Sequence, residues 1–224
     1  REKEGLFVAD GTKLLAEAVK YYPGLDTVIL SDGVEANVPE GVRVIRVPED
    51  VMASVSPMET PQGAVFVCRM PEKAAFAPAA PMLLLDGIQD PGNLGTILRT
   101  ADALNVKVAL LEGCADPYSH KVVRASMGAV LRTQPVQTTW AEAKEKLADA
   151  GIPIAVTALS ETSRDIRNAG VEKMAVVIGS EGQGVRPEIL SEARYQLIIP
   201  MNAHCESLNA AIAAAIVAWE MKQV

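Results

Sequence analysis

Five polar side chains follow three apolar runs of the sequence, where the chain is expected to leave a β-strand. Asn93 and Arg99 follow residues 82–85, Glu181 follows residues 174–178, and Ser207 and Asn209 follow residues 196–199. Arginine offers a rigid fork of donors for a phosphate, and a carboxylate accepts hydrogen bonds from hydroxyls or amides. These residue types predict a site for a polar ligand.

Three loops, at residues 89–99, 179–184 and 202–209, begin where the predicted strands end. In open α/β sheets the carboxyl ends of parallel strands share one edge, and ligands bind in the crevice outside that edge. We therefore expect the three loops to converge on one site.

Purely structural interpretations of the same residues remain open. Asn93 and Arg99 are six residues apart across a predicted helix start, so Asn93 is also a candidate cap and Arg99 a candidate for the outer helix face. Gly179, Gly182 and Gly184 allow a tight turn close to a ligand, but their spacing matches neither the dinucleotide-binding fingerprint nor the phosphate loop. A glycine-rich turn with a solvated glutamate is the alternative.

The last helix is predicted to begin at Leu208, with Ser207 as its N-cap. From Leu208 to Trp219 nearly every residue is apolar and many are alanine, so the helix has no wide polar face. It must be covered on most sides, and its small side chains permit close approach of another helix. Asn209, in its first turn, is the polar exception.

Apolar and helical segments alternate from residue 82 to residue 224, which predicts a doubly wound, mostly parallel α/β sheet. Residues 1–73 are predicted to form a small α/β unit, whose first helix is capped by Asp10 or Thr12. The segment 74–81, rich in proline and alanine, is predicted to be a linker. Helices are also predicted at residues 96–104 and 120–127, the latter ended by Gly128.

The composition, 49% hydrophobic and 22% charged residues in a chain of 224, indicates compact folding. No apolar run is long enough to span a bilayer, and no signal peptide opens the chain. A net charge of −7 argues against a broad cationic surface, so any contact with nucleic acid must be local. The chain starts without a methionine, and we expect further residues upstream.

Cysteine and histidine positions predict neither a disulfide framework nor a metal site. The three cysteines, Cys68, Cys114 and Cys205, are far apart and show no CxxC spacing. For His120 and His204 we expect surface or capping roles, because no second ligand lies at a useful spacing. A reducing, cytoplasmic location is the expectation.

Three segments carry a resemblance to a known family. Residues 93–101 (NLGTILRTA), 177–184 (VIGSEGQG) and 199–209 (IPMNAHCESLN) resemble, in order, the three motifs of the SpoU/TrmH RNA 2′-O-ribose methyltransferases of the SPOUT class. Residues 1–73 resemble, more weakly, the L30e-like substrate-binding domain that often precedes this catalytic domain.

The resemblance implies a C-terminal segment threaded as a trefoil knot, an exception to the general rule against knots. It also implies S-adenosylmethionine bound in the knot, with Gly179, Ile199 and Leu208 at the matching contacts and Met201 and Glu181 close by. A homodimer packed through the knot helices is implied as well, which agrees with an alanine-rich helix that needs covering.

The implied reaction is methylation of a ribose 2′-hydroxyl in RNA, rRNA rather than tRNA, without a metal. The matching polar active-site positions are Asn93, Arg99, Glu181, Ser207 and Asn209. A guanidinium pKa above about 12 makes Arg99 a stabiliser of phosphate and alkoxide rather than a base. Ser207 and Asn209 are expected to orient the hydroxyl and the arginine.

The chain departs from the family pattern at Ala203, where glycine is usual, and at Asp10, where glutamate is frequent. The N-terminal arginine with which relatives often contact RNA lies in a region not present here. Two other protein classes remain open. A nucleotide-binding oxidoreductase requires a glycine fingerprint after its first strand, which this chain lacks. A catalytically silent RNA-binding protein would tolerate loss of the five polar residues, all of which are present.

Overall fold

A computed structural model describes residues 4–160, 162–202, 204–205 and 207–222, which fold into two β-sheets and their covering helices. The strands are β1 (Leu6–Asp10), β2 (Leu25–Ser31), β3 (Arg43–Val47), β4 (Ala64–Arg69), β5 (Met82–Asp86), β6 (Lys107–Leu110), β7 (Val136–Gln137), β8 (Ile154–Thr157), β9 (Arg164–Asp165), β10 (Ala175–Gly179) and β11 (Tyr195–Ile198). The α-helices are α1 (Thr12–Tyr21), α2 (Glu49–Val55), α3 (Pro91–Ala103), α4 (His120–Ala125), α5 (Ala129–Thr133), α6 (Trp140–Asp149), α7 (Pro187–Glu192) and α8 (Ala210–Glu220). Two short 3-10 helices cover Ile166–Asn168 and Val171–Lys173.

The first sheet, of four strands in the order β1-β4-β2-β3, is mixed. Its β1/β4 and β2/β4 pairs are antiparallel, and β2/β3 is parallel. Together with α1 and α2 it forms what we call the N-terminal unit, residues 6–69.

The second sheet has seven strands in the order β7-β6-β5-β10-β8-β11-β9, and every pair in it is parallel. This confirms the predicted α/β class. With α3 to α8 it forms the C-terminal unit, residues 82–220. From β5 the chain first adds β6 and then β7 on one side of that strand. All later strands lie on the other side of β5, so the direction of winding reverses between β5 and β10.

Side chains alternate across the second sheet into two apolar layers. Leu83 and Leu85 of β5 pack with α3, α4, α5 and α8, whereas Leu84 packs with α6 and α7 on the opposite face. Both faces are therefore covered, which explains why the strand is apolar at every position from Met82 to Leu85.

The segment between the two units is docked rather than free. Phe76 is buried in the α6 layer, and its carbonyl oxygen accepts a hydrogen bond of 3.0 Å from Lys146 Nζ. The segment has no helix or strand between Arg69 and Met82, and its Ala80–Pro81 peptide bond is cis.

The predicted cap of the last helix is wrong by two residues. The N-cap of α8 is Asn209, whose Oδ1 accepts from the backbone N–H groups of Ala211 and Ile212 at 3.0 and 3.3 Å. Ser207 precedes the helix and makes no such bond. Serine and asparagine are equally good caps locally, so the neighbours of Asn209 in the tertiary structure decide between them.

Helix α3 begins five residues earlier than predicted. Asp90 is its N-cap and accepts from the Asn93 backbone N–H at 2.8 Å, while Pro91 takes the first helical position. Asn93 is therefore inside the helix and is not its cap.

Three further local predictions are wrong. The first helix has Gly11 at the cap position with no side-chain cap, because Asp10 turns away to bond His120. The helix predicted at residues 120–127 is shorter, and Gly128, with φ 85°, starts α5 instead of ending a helix. His120 does not cap α4, because Ser119 is the N-cap of that helix, and its partly exposed side chain bonds Asp10 instead. The short strands β7 and β9 could not be predicted from the sequence, because they lack an apolar pattern. The departure at Ala203 lies outside the described residues.

Candidate active site

A cavity of about 410 Å³ opens at the carboxyl ends of β8, β10 and β11, beside the reversal of winding. Its wall includes all five residues assigned to the cofactor from the sequence, namely Gly179, Glu181, Ile199, Met201 and Leu208. Leu197, Ala210 and Ala213 add apolar surface from β11 and α8. Volumes of about 300–1,000 Å³ are usual for small-molecule sites, and a mostly apolar wall with few polar groups is their usual chemistry.

The loop after β10 is closed by its own backbone. Ser180 and Gly184 exchange two hydrogen bonds, of 3.1 and 2.9 Å, and bring the start and end of the loop together. A Cβ added to Gly179 would lie 2.1 Å from the carbonyl carbon of Gly184. Gly179 is therefore required by the closure of the loop itself, and the cavity wall depends on it.

The other two glycines of this loop differ in whether the backbone requires a glycine at their position. Gly184 has φ 68°, a left-handed conformation that other residues rarely adopt. Gly182 has no positive φ, and a Cβ placed on it would meet nothing within 4 Å. No neighbouring protein atom therefore requires glycine at position 182, and its expected approach to a ligand stays a prediction.

Three polar side chains from three distant segments form one hydrogen-bonded chain. Asn93 Nδ2 donates to Glu181 Oε1, and Asn209 Nδ2 donates to Asn93 Oδ1 at 3.0 Å. Because Asn209 Oδ1 also caps α8, both ends of its amide group are engaged and its orientation is determined. Glu181 lies on the cavity wall, so this chain borders the cavity.

Ser207 also lies on the cavity wall, next to the apolar side chain of Leu208. Arg99 lies on α3, six residues after Asn93, and its side chain is exposed. Across the described residues, Arg99 forms no hydrogen bond or ion pair, and it does not line the cavity. The structure thus joins Asn93, Glu181 and Asn209, places Ser207 beside them, and leaves Arg99 with its guanidinium available.

A buried ion pair, missed from the sequence, holds the loop in place. Asp86, at the end of β5, is only 1% exposed. Its two carboxylate oxygens accept from the Arg186 backbone N–H at 2.8 Å and from Arg186 Nε at 2.6 Å. Arg186 also donates to Glu112 at 3.0 Å. The loop after β10 is therefore tied to the strand end beside it, opposite Gly179.

These contacts shift the pKa values of Arg186 and Glu112. Burial by itself would lower the pKa of the Arg186 guanidinium, but its hydrogen bonds to Asp86 and Glu112 outweigh burial and raise it. For Glu112 burial opposes ionisation, yet backbone hydrogen bonds and Arg186 lower its pKa. The sequence did contain a signal for this ion pair, because Asp86 ends an otherwise apolar strand. A buried carboxylate costs free energy unless it is paired.

Within the described ranges, no cluster of three or more His, Cys, Asp or Glu side chains could hold a metal ion. The described helices include none that is long and apolar enough to cross a membrane. The free thiol of Cys68 is buried and that of Cys114 is partly buried, and burial raises their pKa values to about 12 and about 11.

Comparison with known proteins places these features in a family. Residues 80–219 match the SpoU rRNA Methylase family, and residues 1–65 match the MRM3-like substrate binding domain. The 23S rRNA (guanosine(2553)-2′-O)-methyltransferase RlmP of Bacillus subtilis is 33% identical over 226 residues, which cover 99% of this chain and 90% of that protein.

Solved structures agree over the full length. A putative RNA methyltransferase of the TrmH family from Porphyromonas gingivalis superposes with a TM-score of 0.88 at 34% identity, covering 100% of this chain and 92% of that one. An AdoMet-bound rRNA methyltransferase from Sinorhizobium meliloti superposes with a TM-score of 0.86 at 28% identity, covering 100% and 89%. Both units of the chain are therefore shared with these proteins in the same relative arrangement.

Proposed function

Because the chain belongs to the SpoU rRNA methylase family, as its three motifs predicted, we propose that it transfers a methyl group from S-adenosylmethionine to a ribose 2′-hydroxyl of RNA. The observation that carries this proposal is the chain of Glu181, Asn93 and Asn209 at the border of an apolar cavity. Polar groups that direct a hydroxyl lie there next to a pocket that suits a nucleoside. Ribosomal RNA, which the Bacillus relative's name specifies, is the proposed substrate class.

The residues present fit the cofactor. Ile199, Met201 and Leu208 offer an apolar wall for a flat base, and Gly179 and its neighbours offer backbone groups for polar edges. When bound, S-adenosylmethionine supplies a methyl group on a positively charged sulfur. No cationic side chain lines the described wall, so a sulfonium meets no like charge there.

The protein's own residues then act on the acceptor. In an in-line displacement, the 2′-oxygen must be held in line with the methyl group and lose its proton, and water must be excluded. Ser207 and Asn209 orient the hydroxyl. The amide of Asn93 bonds both Asn209 and Glu181 and so fixes their side chains relative to each other. Arg99, whose guanidinium is free among the described residues, binds the adjacent phosphate and stabilises the developing alkoxide.

We propose residues 1–73 as an RNA-binding domain, 74–81 as the linker and 82–224 as the methyltransferase domain. The match of residues 1–65 to a substrate binding domain and the break between the two sheets support this division. We propose a cytoplasmic location because ribosomal RNA is the proposed substrate.

We propose in addition that the C-terminal segment forms a trefoil knot and that α8 packs against a second copy of the chain. After β11 the chain returns so that α8 packs on α3 and β10, which supports threading past the loop after β10. Ile212 and Trp219, seven residues apart on α8, are 52% and 56% exposed and form an apolar stripe on its outer side.

Sedimentation tests the dimer. Trp219→Lys is expected to convert a dimer into a monomer, whereas Val55→Lys, which changes an exposed valine of α2, is expected to leave the dimer intact. A monomeric wild-type protein at micromolar concentration contradicts the proposal.

Methyl transfer is tested with purified protein, labelled S-adenosylmethionine and either 23S rRNA or tRNA. We expect label in the rRNA, located at a ribose 2′-oxygen by resistance of the adjoining phosphodiester to alkali. An oligonucleotide with 2′-deoxyribose at that nucleotide is the control and is expected to accept no label. Cofactor binding without transfer to any RNA would support the silent RNA-binding alternative.

A further inference from the structure

The N-terminal unit is packed firmly on the C-terminal unit. One continuous apolar cluster contains Phe7 and Leu15 of the first unit together with Tyr118 and Leu131 of the second. The rings of Phe7 and Tyr118 lie 5.1 Å apart between their centroids. This apolar contact holds the units together, but apolar packing by itself is only weakly directional.

Two polar contacts at that interface fix the relative orientation of the two units. The first joins Asp10, at the end of β1, to α4. Asp10 Oδ1 is 2.6 Å from His120 Nε2, and Asp10 Oδ2 is 4.0 Å from an Arg124 amino nitrogen. The Asp10 side chain is only 2% exposed, so its carboxylate is held between the units.

The second contact passes through Arg132 of α5. Its Nε and one amino nitrogen donate to Asp102 of α3 at 2.9 and 2.7 Å, and its other amino nitrogen pairs with Glu17 of α1. Glu17 of the N-terminal unit is thereby linked to the carboxyl-terminal end of α3.

The helices that receive these contacts also carry the candidate active site. Asn93 and Arg99 lie on α3, the helix of Asp102. Helix α4 is fixed closely against α3 at Gly95, where an added Cβ would lie 2.4 Å from Ala125 Cβ. The orientation of the N-terminal unit is therefore fixed relative to α3 and α4, the two helices that position Asn93.

We propose that Asp10–His120 and Glu17–Arg132–Asp102 are positioning contacts that determine which nucleotide of a bound RNA enters the cavity. The inference rests on the proposed function. RNA held on the N-terminal unit reaches the cavity at an offset set by the angle between the units. A displacement of about 1 Å at the reacting atoms costs on the order of 100-fold in rate, so a small rotation changes which ribose reacts productively.

Stability and positioning are separable at the contact through Arg132. Glu17, Arg132 and Asp102 are partly exposed, and ion pairs of this kind contribute little to the free energy of folding. The apolar cluster remains when they are removed. A merely structural role thus predicts a small loss of stability with unchanged selection of the nucleotide, whereas a positioning role predicts altered selection.

The test compares the full-length double variant Asp10→Asn/Glu17→Gln with the double control Asp165→Asn/Glu142→Gln. The control makes the same chemical changes in two ion pairs inside the C-terminal unit, Asp165 with Arg167 and Glu142 with Lys146. Each protein is assayed on rRNA for KM, kcat and S-adenosylmethionine affinity, and each methylated nucleotide is mapped.

We expect the double variant to lower kcat at the original nucleotide by about tenfold or more, with little change in KM for RNA or in cofactor affinity, and to methylate neighbouring nucleotides. Restoring the carboxylate as Glu17→Asp in the Asp10→Asn background is expected to recover part of the selectivity. The control should behave as the wild type does.

The two proposals fail separately in this experiment. If the wild-type protein methylates one nucleotide and the double variant retains both the kcat and the product distribution of the control, the positioning role is wrong and the function stands. If the double variant does not fold, the single variant Glu17→Gln, with Glu142→Gln as its control, decides by the same two readouts. If the wild type methylates no RNA, the proposed function is wrong and the positioning role falls with it.

Discussion

Asn209 donates its side-chain amide to the side-chain oxygen of Asn93 at 3.0 Å, although 116 residues separate them in sequence. The same side chain caps α8 through its oxygen. One residue therefore both starts the last helix and continues a polar chain that reaches Glu181 on the cavity wall.

These two roles of Asn209 predict different outcomes for two variants. Asn209→Asp keeps the oxygen that caps α8 but loses the amide donor to Asn93, so we expect nearly unchanged stability and a kcat lower by about tenfold or more, because the polar chain at the cavity loses its fixed geometry. Asn209→Ala loses both groups and should also lower the free energy of unfolding by about 1 kcal/mol. Denaturant unfolding and initial rates of methyl transfer measure the two effects. Equal activity of Asn209→Asp and the wild type would show that the residue is only a cap.

Arg99 is exposed and unpaired among the described residues, so its removal should not disturb the fold. For Arg99→Ala we expect an unfolding free energy within about 0.5 kcal/mol of the wild type, unchanged affinity for S-adenosylmethionine, and loss of methyl transfer. Arg194→Ala, which removes an exposed arginine lying over Tyr195, is the control and should retain activity. Parallel loss of cofactor binding and transfer in Arg99→Ala would contradict its role towards the RNA.

Two glycines of one loop provide a matched pair. Gly179→Ala forces a Cβ against Gly184, so the loop must open and we expect S-adenosylmethionine affinity to fall strongly. Gly182→Ala places its Cβ in open space and should bind the cofactor as the wild type does. Calorimetric titration with S-adenosylmethionine and its demethylated product measures both. Equal affinities would mean that the loop does not form the cofactor wall.

Asp86 is buried and holds Arg186, and its replacement tests what ties the loop after β10 to the sheet. Removing one partner of a buried ion pair costs about 3–5 kcal/mol, and because Arg186 is partly exposed we expect about 2–3 kcal/mol for Asp86→Ala. Asp165→Ala, from the more exposed pair with Arg167, should cost clearly less than Asp86→Ala. Urea unfolding of the two variants measures the difference, and similar losses would contradict a structural role specific to Asp86.

The cysteines predict a pH-dependent labelling pattern. Burial raises the pKa values of Cys68 and Cys114 to about 12 and about 11, so both thiols stay protonated well above neutral pH, and the thiolate is the reactive form. Cys205 is exposed. We expect one thiol of three to react quickly with a disulfide reagent at pH 8, and the other two only after unfolding. Three fast thiols in the folded protein would contradict the burial of Cys68 and Cys114.

The sequence by itself determined the elements whose signal is local. Apolar runs such as β5 and β10 were located within a residue or two, because a strand covered on both faces must be apolar throughout. The convergence of the three loops followed from the parallel order of these strands. The family, too, could be recognised from three short motifs, although the roles of Asn93, Arg99 and Ser207 in it stay predictions.

Tertiary structure alone decided the features that join distant residues. Whether Ser207 or Asn209 caps α8 depends on Asn93, and whether Asp86 is tolerated in the core depends on Arg186, 100 residues away. Likewise Asp10 caps nothing, because His120 of the other unit takes its carboxylate. A side chain with several possible partners takes the one that the packing of the whole chain brings within about 3 Å, and no local pattern records that choice.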